Sequence, residues 1–148
     1  MTDTREQTVV GIDLGATNYR VAVASGVDIL DRVQYQTPAA HTGREVTEAL
    51  VDAVDEVLAA AGLDREAVAG VGVGSIGPLD TESGVVIDPP NLSPSIEGIP
   101  LAGPLGDAMG APVRVENDAI AALLAERAHM DDPPSNMAYV TFSTGVGA

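Results

Sequence analysis

Val9-Val10-Gly11-Ile12-Asp13-Leu14-Gly15-Ala16-Thr17-Asn18 is a short apolar run that ends in a carboxylate and then turns on small, hydroxyl-bearing residues. Tyr19–Ala24 follows and alternates around Val21 and Val23; Ile29–Tyr35 continues with Leu30, Val33 and Tyr35. The separators Gly15-Ala16-Thr17-Asn18 and Ser25-Gly26-Val27-Asp28 are short and made of turn residues, so each predicts a hairpin. Three antiparallel strands in a meander are expected, over Val9–Asp13, Tyr19–Ala24 and Ile29–Tyr35.

Beyond the meander the period changes. Val46, Ala49, Leu50, Ala53, Val54, Val57, Leu58 and Ala61 recur at helical spacing, with Glu48, Asp52, Asp55 and Glu56 on the other face. Thr42-Gly43-Arg44-Glu45 fits a capping box, and Gly62 stands where a left-handed C-terminal residue belongs. Val68–Val73 reads as a strand of small apolar residues. Ser75–Pro104 is rich in Gly, Pro, Asp and Ser, with one apolar piece at Val85–Ile87; so long an irregular stretch is uncommon in a compact domain unless it is functional. Leu101–Met109 and Asp118–Ala128 are expected helices, Pro112–Val115 and Ala138–Phe142 expected strands. A meander, then a helix, then a further strand implies an α/β layer fold with a mixed sheet.

The 148 residues suit one modest domain that can bury a core without staples. Without cysteine there is no disulfide framework and no Cys-based zinc site in this stretch. The 22 acidic side chains against 7 basic ones leave a net charge of −15, which repels phosphate backbones and anionic lipid, so neither nucleic acid nor membrane is an expected partner. No run of 18 apolar residues spans a membrane, and Met1–Thr8 lacks the apolar region of a signal peptide, so the cytoplasm is the expected compartment. All seven basic residues are arginine. A lysine-free acidic surface with few large aromatics suggests adaptation to high salt, as a halophile needs; a GC-rich genome gives the same bias.

Four constellations carry chemistry. Asp13-Leu14-Gly15-Ala16-Thr17-Asn18 places a carboxylate before a tight turn whose N–H groups can cradle phosphate oxygens; Asp13 can hold Mg²⁺ through water. The same residues are also ordinary hairpin residues. Gly72-Val73-Gly74-Ser75-Ile76-Gly77 matches the dinucleotide fingerprint, but Pro78 and turn residues follow where that fingerprint needs a helix. Its glycines more simply let a neighbouring segment or ligand approach the strand end. Asn117-Asp118 joins a strand to a helix, where ligands bind in α/β sheets. Both residues are good caps, and a negative charge there gains roughly 0.3–1 kcal/mol; an ionised carboxylate is also what a base accepting a hydroxyl proton must be. Ser143-Thr144-Gly145-Val146-Gly147 is a second glycine turn suited to phosphate; the run is cut at Ala148, and a longer protein is expected.

In this order and spacing, with Asn91-Leu92 in the middle loop, the four pieces resemble the sugar kinases of the ROK family (repressor, open reading frame, kinase), from about Val9 to Ala148. The resemblance implies an actin-like ATPase (ribonuclease H-like) domain, with a mixed sheet in β-β-β-α-β order flanked by helices. Residues 1–117 would form the N-terminal small domain and 118–148 the start of a second, larger one. It implies a glucokinase-like enzyme that transfers the γ-phosphate of ATP, with Mg²⁺, to the 6-hydroxyl of a hexose. Asp13, Gly15, Ala16, Thr17 and Asn18 match the first phosphate motif; Thr144, Gly145 and Gly147 match the second. Asp118 matches the catalytic base, which also touches the sugar, and Gly77, Asn91 and Asn117 match sugar-contacting positions.

Three departures stand out. Gly15-Ala16-Thr17-Asn18 replaces the family's frequent Gly-Gly-Thr-Lys, Ser93-Pro94-Ser95-Ile96 lies where a Trp is common, and Ser143 stands where Gly is usual. The family's Glu-x-Gly-His sugar motif and its Cys-rich structural zinc site would lie beyond Ala148, so residues 1–148 alone are expected to be inactive, and a homo-oligomer is expected of the full-length form. The family also includes sugar-sensing repressors. Only eight residues precede Val9 and the chain is acidic, which argues against a DNA-binding module here. A non-catalytic sugar-binding module is the remaining alternative.

Overall fold

The computed structural model describes residues 7–89, 92–142 and 146–147. In chain order the elements are β1 (Thr8–Leu14), β2 (Asn18–Ser25), β3 (Asp28–Gln36), α1 (Gly43–Ala60), β4 (Val68–Ser75), β5 (Leu79–Asp80), β6 (Val85–Ile87), β7 (Gly98–Pro100), α2 (Ala102–Met109), β8 (Val113–Asn117), α3 (Asp118–Ala128), β9 (Thr141–Phe142) and β10 (Val146–Gly147). The central sheet runs β3-β2-β1-β4-β8. Its first three strands form the expected meander, while β4 is parallel to β1 and β8 to β4.

Period-2 alternation decides which face is core. Val10, Ile12 and Leu14 of β1 and Tyr19, Val21 and Val23 of β2 are buried, whereas Val9, Gly11 and Asp13 face the other way. Helix α1 covers the buried face with Val46, Leu50, Ala53, Val54, Val57 and Leu58, none more than 2% exposed. Each large one contributes about 1.5–3 kcal/mol relative to exposure. Both ends of the helix follow its sequence. Thr42 Oγ1 accepts from the Glu45 N–H while the Glu45 carboxylate accepts from the Thr42 N–H. At the other end the Gly62 N–H donates to Ala59 and the Leu63 N–H to Leu58, a Schellman closure with Gly62 at φ +69°.

The stretch Ser75–Pro104 differs from the irregular loop expected. It holds a three-stranded antiparallel sheet, β5-β6-β7, whose Val86 and Ile99 are fully buried. This small sheet docks on the start of α1. A Cβ at Gly43 would stand 1.7 Å from the Gly98 carbonyl oxygen, so only glycine lets the helix seat there. The buried Thr47 hydroxyl donates to the Pro100 carbonyl at 2.6 Å, which ties the same two elements.

The last expected strand is corrected. Of Ala138–Phe142 only Thr141 and Phe142 pair, with β10, in a two-stranded ribbon separate from the central sheet. Val140 is half exposed, so apolar composition there is not matched by a neighbouring strand. Helix α3 packs on β4 and β8 of the central sheet and leaves Ile120 and Leu124 exposed. Among the described residues no helix is long and apolar enough to cross a membrane.

Candidate active site

The parallel strands β1, β4 and β8 bring their carboxyl ends to one edge of the sheet, which is where α/β sheets bind ligands. The register sets Asp13 beside Gly74 and Gly74 beside Glu116, then Leu14 beside Ser75 and Ser75 beside Asn117. The turn after β1, the segment after β4 and the start of α3 therefore leave the sheet side by side. The Ile76 N–H donates to the Leu14 carbonyl at 3.0 Å, and a Cβ at Gly77 would lie 3.8 Å from Asn117 Nδ2. The Gly77–Pro78 peptide is cis and leads into β5, so no helix follows the glycine run.

The turn after β1 is tied down by its carbonyl groups. The Gly15 N–H donates to the Asn18 carbonyl at 3.0 Å, the Thr37 N–H to the Thr17 carbonyl at 2.9 Å, and the Thr37 hydroxyl to the Gly15 carbonyl at 2.7 Å. A Cβ at Gly15 would meet the Asn18 oxygen at 2.8 Å, so the turn closes only on glycine. Among the described residues the N–H groups of Ala16 and Thr17 and the Thr17 hydroxyl take no hydrogen bond. Free amides in succession are what an anion meets in a backbone nest.

Asp13 sits on the face of β1 away from the core. Its Oδ2 accepts from Arg20 Nη1 at 2.7 Å, and Arg20 Nε also donates to Gln34 Oε1 at 3.0 Å. Both partners of the ion pair are about half exposed (57% and 51%), so the pair is worth about 0–1 kcal/mol and can be exchanged for another partner. Mg²⁺ keeps several waters and takes one or two carboxylates beside substrate phosphates. A half-exposed carboxylate next to a phosphate-type turn fits that ion. Among the described residues no group of three or more His, Cys, Asp or Glu is gathered for a metal.

Asn117 is the N-cap of α3, its Oδ1 accepting from the Ala119 N–H at 3.1 Å, while its own N–H donates to Glu116 Oε1 at 2.8 Å. Asp118 follows in the first turn, exposed, with Oδ1 accepting from the same Ala119 N–H at 2.8 Å. Its Oδ2 has no partner among the described residues. Gly74 lets α3 come this close: a Cβ there would stand 3.2 Å from Ala121 Cβ and 3.8 Å from Asp118 Cα. Asp13, Arg20, Gly74, Glu116 and Asp118 line one open concavity of about 990 Å³.

Of the expected site residues, the strand ends thus gather Asp13, Gly15, Ala16, Thr17, Asn18, Gly77, Asn117 and Asp118 at one edge. Asn91, Ser143, Thr144 and Gly145 lie outside the described residues; Gly147 is in β10, opposite Thr141. Sequence reasoning passed over Arg20 and Thr37. The hairpin register that puts Arg20 opposite Asp13 was available from the alternation of β2. Thr37 reaches the turn across the whole second hairpin, and its one sequence signal is Pro38, which holds the preceding residue extended.

The ROK family model matches residues 9–148. A glucokinase of Pyrobaculum calidifontis is 42% identical over 142 residues, covering 93% of this chain and 41% of that protein. An N-acetylmannosamine kinase of Vibrio cholerae is 32% identical over 138 residues, covering 93% of this chain and 45% of its own. The crystal structure of a ROK hexokinase from Thermus thermophilus superposes with a TM-score of 0.70 at 38% identity, over 82% of this chain and 38% of that one. The chain thus spans less than half the length of these curated relatives. Sheet order, helix placement and relatives agree on an actin-like ATPase-type α/β fold. A family match that runs from the first strand to the last residue, over a strand-end site of this design, makes the chain a member of the ROK family.

Proposed function

We propose that the protein carrying this chain phosphorylates a hexose at its 6-hydroxyl with ATP, and that Asp118 is the general base. The observation that carries the proposal is the meeting, at one sheet edge, of a turn whose Ala16 and Thr17 amides make no hydrogen bond among the described residues and an exposed carboxylate, Asp118, which lines one concavity with Asp13. Phosphoryl transfer needs positioning and charge neutralisation more than covalent chemistry. The Ala16 and Thr17 amides and the Thr17 hydroxyl would hold phosphate oxygens, joined by Thr144, Gly145 and Gly147 of the second motif. Asp13 would hold Mg²⁺ through water, and the ion when bound supplies charge neutralisation on the phosphates. Gly77, Asn91 and Asn117 would contact the sugar. The 6-hydroxyl gives its proton to Asp118 Oδ2 while its oxygen forms a bond to the γ-phosphorus; the bond from that phosphorus to ADP breaks and ADP leaves. Residues 1–117 would then form the small domain and residues from 118 on the second one, with the reacting groups where the two meet.

The test is ADP release by the full-length protein with Mg-ATP across glucose, N-acetylglucosamine, N-acetylmannosamine, mannose and fructose, beside Asp118→Asn. Turnover on one sugar, with a loss of about 10²- to 10⁴-fold in the variant, is expected for a general base. Sugar binding without turnover, unchanged in the variant, would make the protein a sensor and Asp118 a helix-start residue only.

A further inference from the structure

The turn at Gly15–Asn18 is held by a residue outside every expected motif. Thr37, the first residue after β3, makes two hydrogen bonds to it, one from its backbone N–H and one from its hydroxyl. Both go to carbonyl groups. With the Gly15 N–H on Asn18, three of the turn's carbonyl oxygens are engaged. An anion is repelled by carbonyl lone pairs and attracted by N–H groups, so a phosphate turn must hide the first to present the second.

The hydroxyl bond matters most. The Gly15 carbonyl and the Ala16 N–H belong to one peptide unit, which is planar and trans, so they point in opposite directions. Fixing the Gly15 oxygen on Thr37 Oγ1 at 2.7 Å therefore aims the Ala16 N–H away from Thr37. The same bond polarises that peptide and strengthens its N–H as a donor. Asn18 supplies no cation to the turn, so the orientation of its amides carries more of the anion's recognition.

We propose that Thr37 is a positioning residue that locks the phosphate-binding turn in its amide-out state, for the polyphosphate of the nucleotide substrate. The proposal rests on the reading of residues 13–18 as the first phosphate turn. Thr37→Val keeps the shape and the backbone N–H bond and removes the hydroxyl; Thr37→Ser restores it. In the full-length protein, Thr37→Val is expected to raise KM for Mg-ATP about tenfold, the worth of one hydrogen bond, with KM for the sugar and the melting temperature nearly unchanged. Thr37→Ser is expected to return KM to within about threefold. Wild-type turnover with the same KM for Mg-ATP in Thr37→Val overturns the role of Thr37 and leaves the kinase standing. So does a parallel rise of both KM values with a lower melting temperature. Where wild type shows no turnover, the kinase reading fails and calorimetric titration with Mg-ADP decides on Thr37. Weaker binding in Thr37→Val, restored in Thr37→Ser, upholds it, while equal binding or none in wild type overturns it.

Discussion

Asn117 and Asp118 both offer an oxygen to the Ala119 N–H, at 3.1 and 2.8 Å, so the start of α3 is capped twice. That redundancy separates structure from chemistry. Asp118→Asn keeps an acceptor for the same N–H, with Asn117 intact beside it, and removes only the group that takes a proton. The substitution is exposed and is expected to change unfolding free energy by under about 0.5 kcal/mol while the reaction slows by orders of magnitude. Thr47 is the opposite case, a residue whose whole effect is structural. Its hydroxyl is fully buried and donates to the Pro100 carbonyl at 2.6 Å, between α1 and the small sheet. Thr47→Val preserves volume and leaves that carbonyl unpaired, which costs about 1–3 kcal/mol. Urea unfolding monitored by circular dichroism measures it, and Thr47→Ser should lose much less.

Helix α1 is the element on which the rest is hung, and its distal end is fixed by an ion pair. Arg65, in the 3₁₀ turn before β4, donates to both oxygens of Asp55 at 2.7 and 2.6 Å and to the Ala108 carbonyl of α2 at 3.0 Å. The guanidinium holds the Asp55 carboxyl below the ordinary carboxylate range. A carboxyl lowered in this way contributes stability above its unfolded value of about 3.9 and loses it as pH falls through the folded value. Both side chains are about 40% exposed (41% and 42%), so screening by water keeps the pair at about 0–1 kcal/mol. Wild type should exceed Asp55→Asn by a constant margin between pH 7 and 5, and the margin should close below about pH 4 in pH-dependent urea unfolding. A margin unchanged at pH 2.5 would contradict the ion pair as its source. Elements like α1 were legible because their signals are local: a capping box, a helical period and a glycine stop lie within one stretch of sequence. The meander was legible from its turn residues. β5, β6 and β7 were not, since strands of two or three residues take their identity from partners up to the other end of the loop. Ala138–Phe142 failed for the converse reason: apolar composition suggested five paired residues where two find a partner. At the site, Asp13 and Asn117-Asp118 stood out as polar groups at strand ends, whereas Thr37 is tied to Gly15 by a contact spanning 22 positions.

At the scale of the whole molecule the charge is the dominant fact. A net charge of −15 sits on 148 residues, and among the described residues three ion pairs use Asp13, Glu48 and Asp55. No other carboxylate among the described residues is in an ion pair. On α1 the exposed Glu48, Asp52 and Glu56 stand four apart, and each like-charged pair at that spacing costs about 0.2–0.5 kcal/mol. Two unit charges about 8 Å apart in water repel by roughly 0.5 kcal/mol, and that term falls as the Debye length shrinks from about 10 Å at 0.1 M salt to about 3 Å at 1 M. Added KCl therefore acts in two directions, weakening three exposed pairs and relieving repulsion among many more carboxylates. Repulsion has the larger sum, so the urea midpoint of the chain should rise with KCl at constant m-value, steeply to about 0.5 M and little beyond about 1 M. A midpoint that falls with KCl would mean that the ion pairs outweigh the repulsion. The shape of the curve also separates the two origins of the composition. Screening is nearly complete at about 1 M, so a codon-driven acidic surface gains nothing further. A surface selected for hydration in brine keeps gaining stability at several molar KCl, where electrostatic relief has already been exhausted.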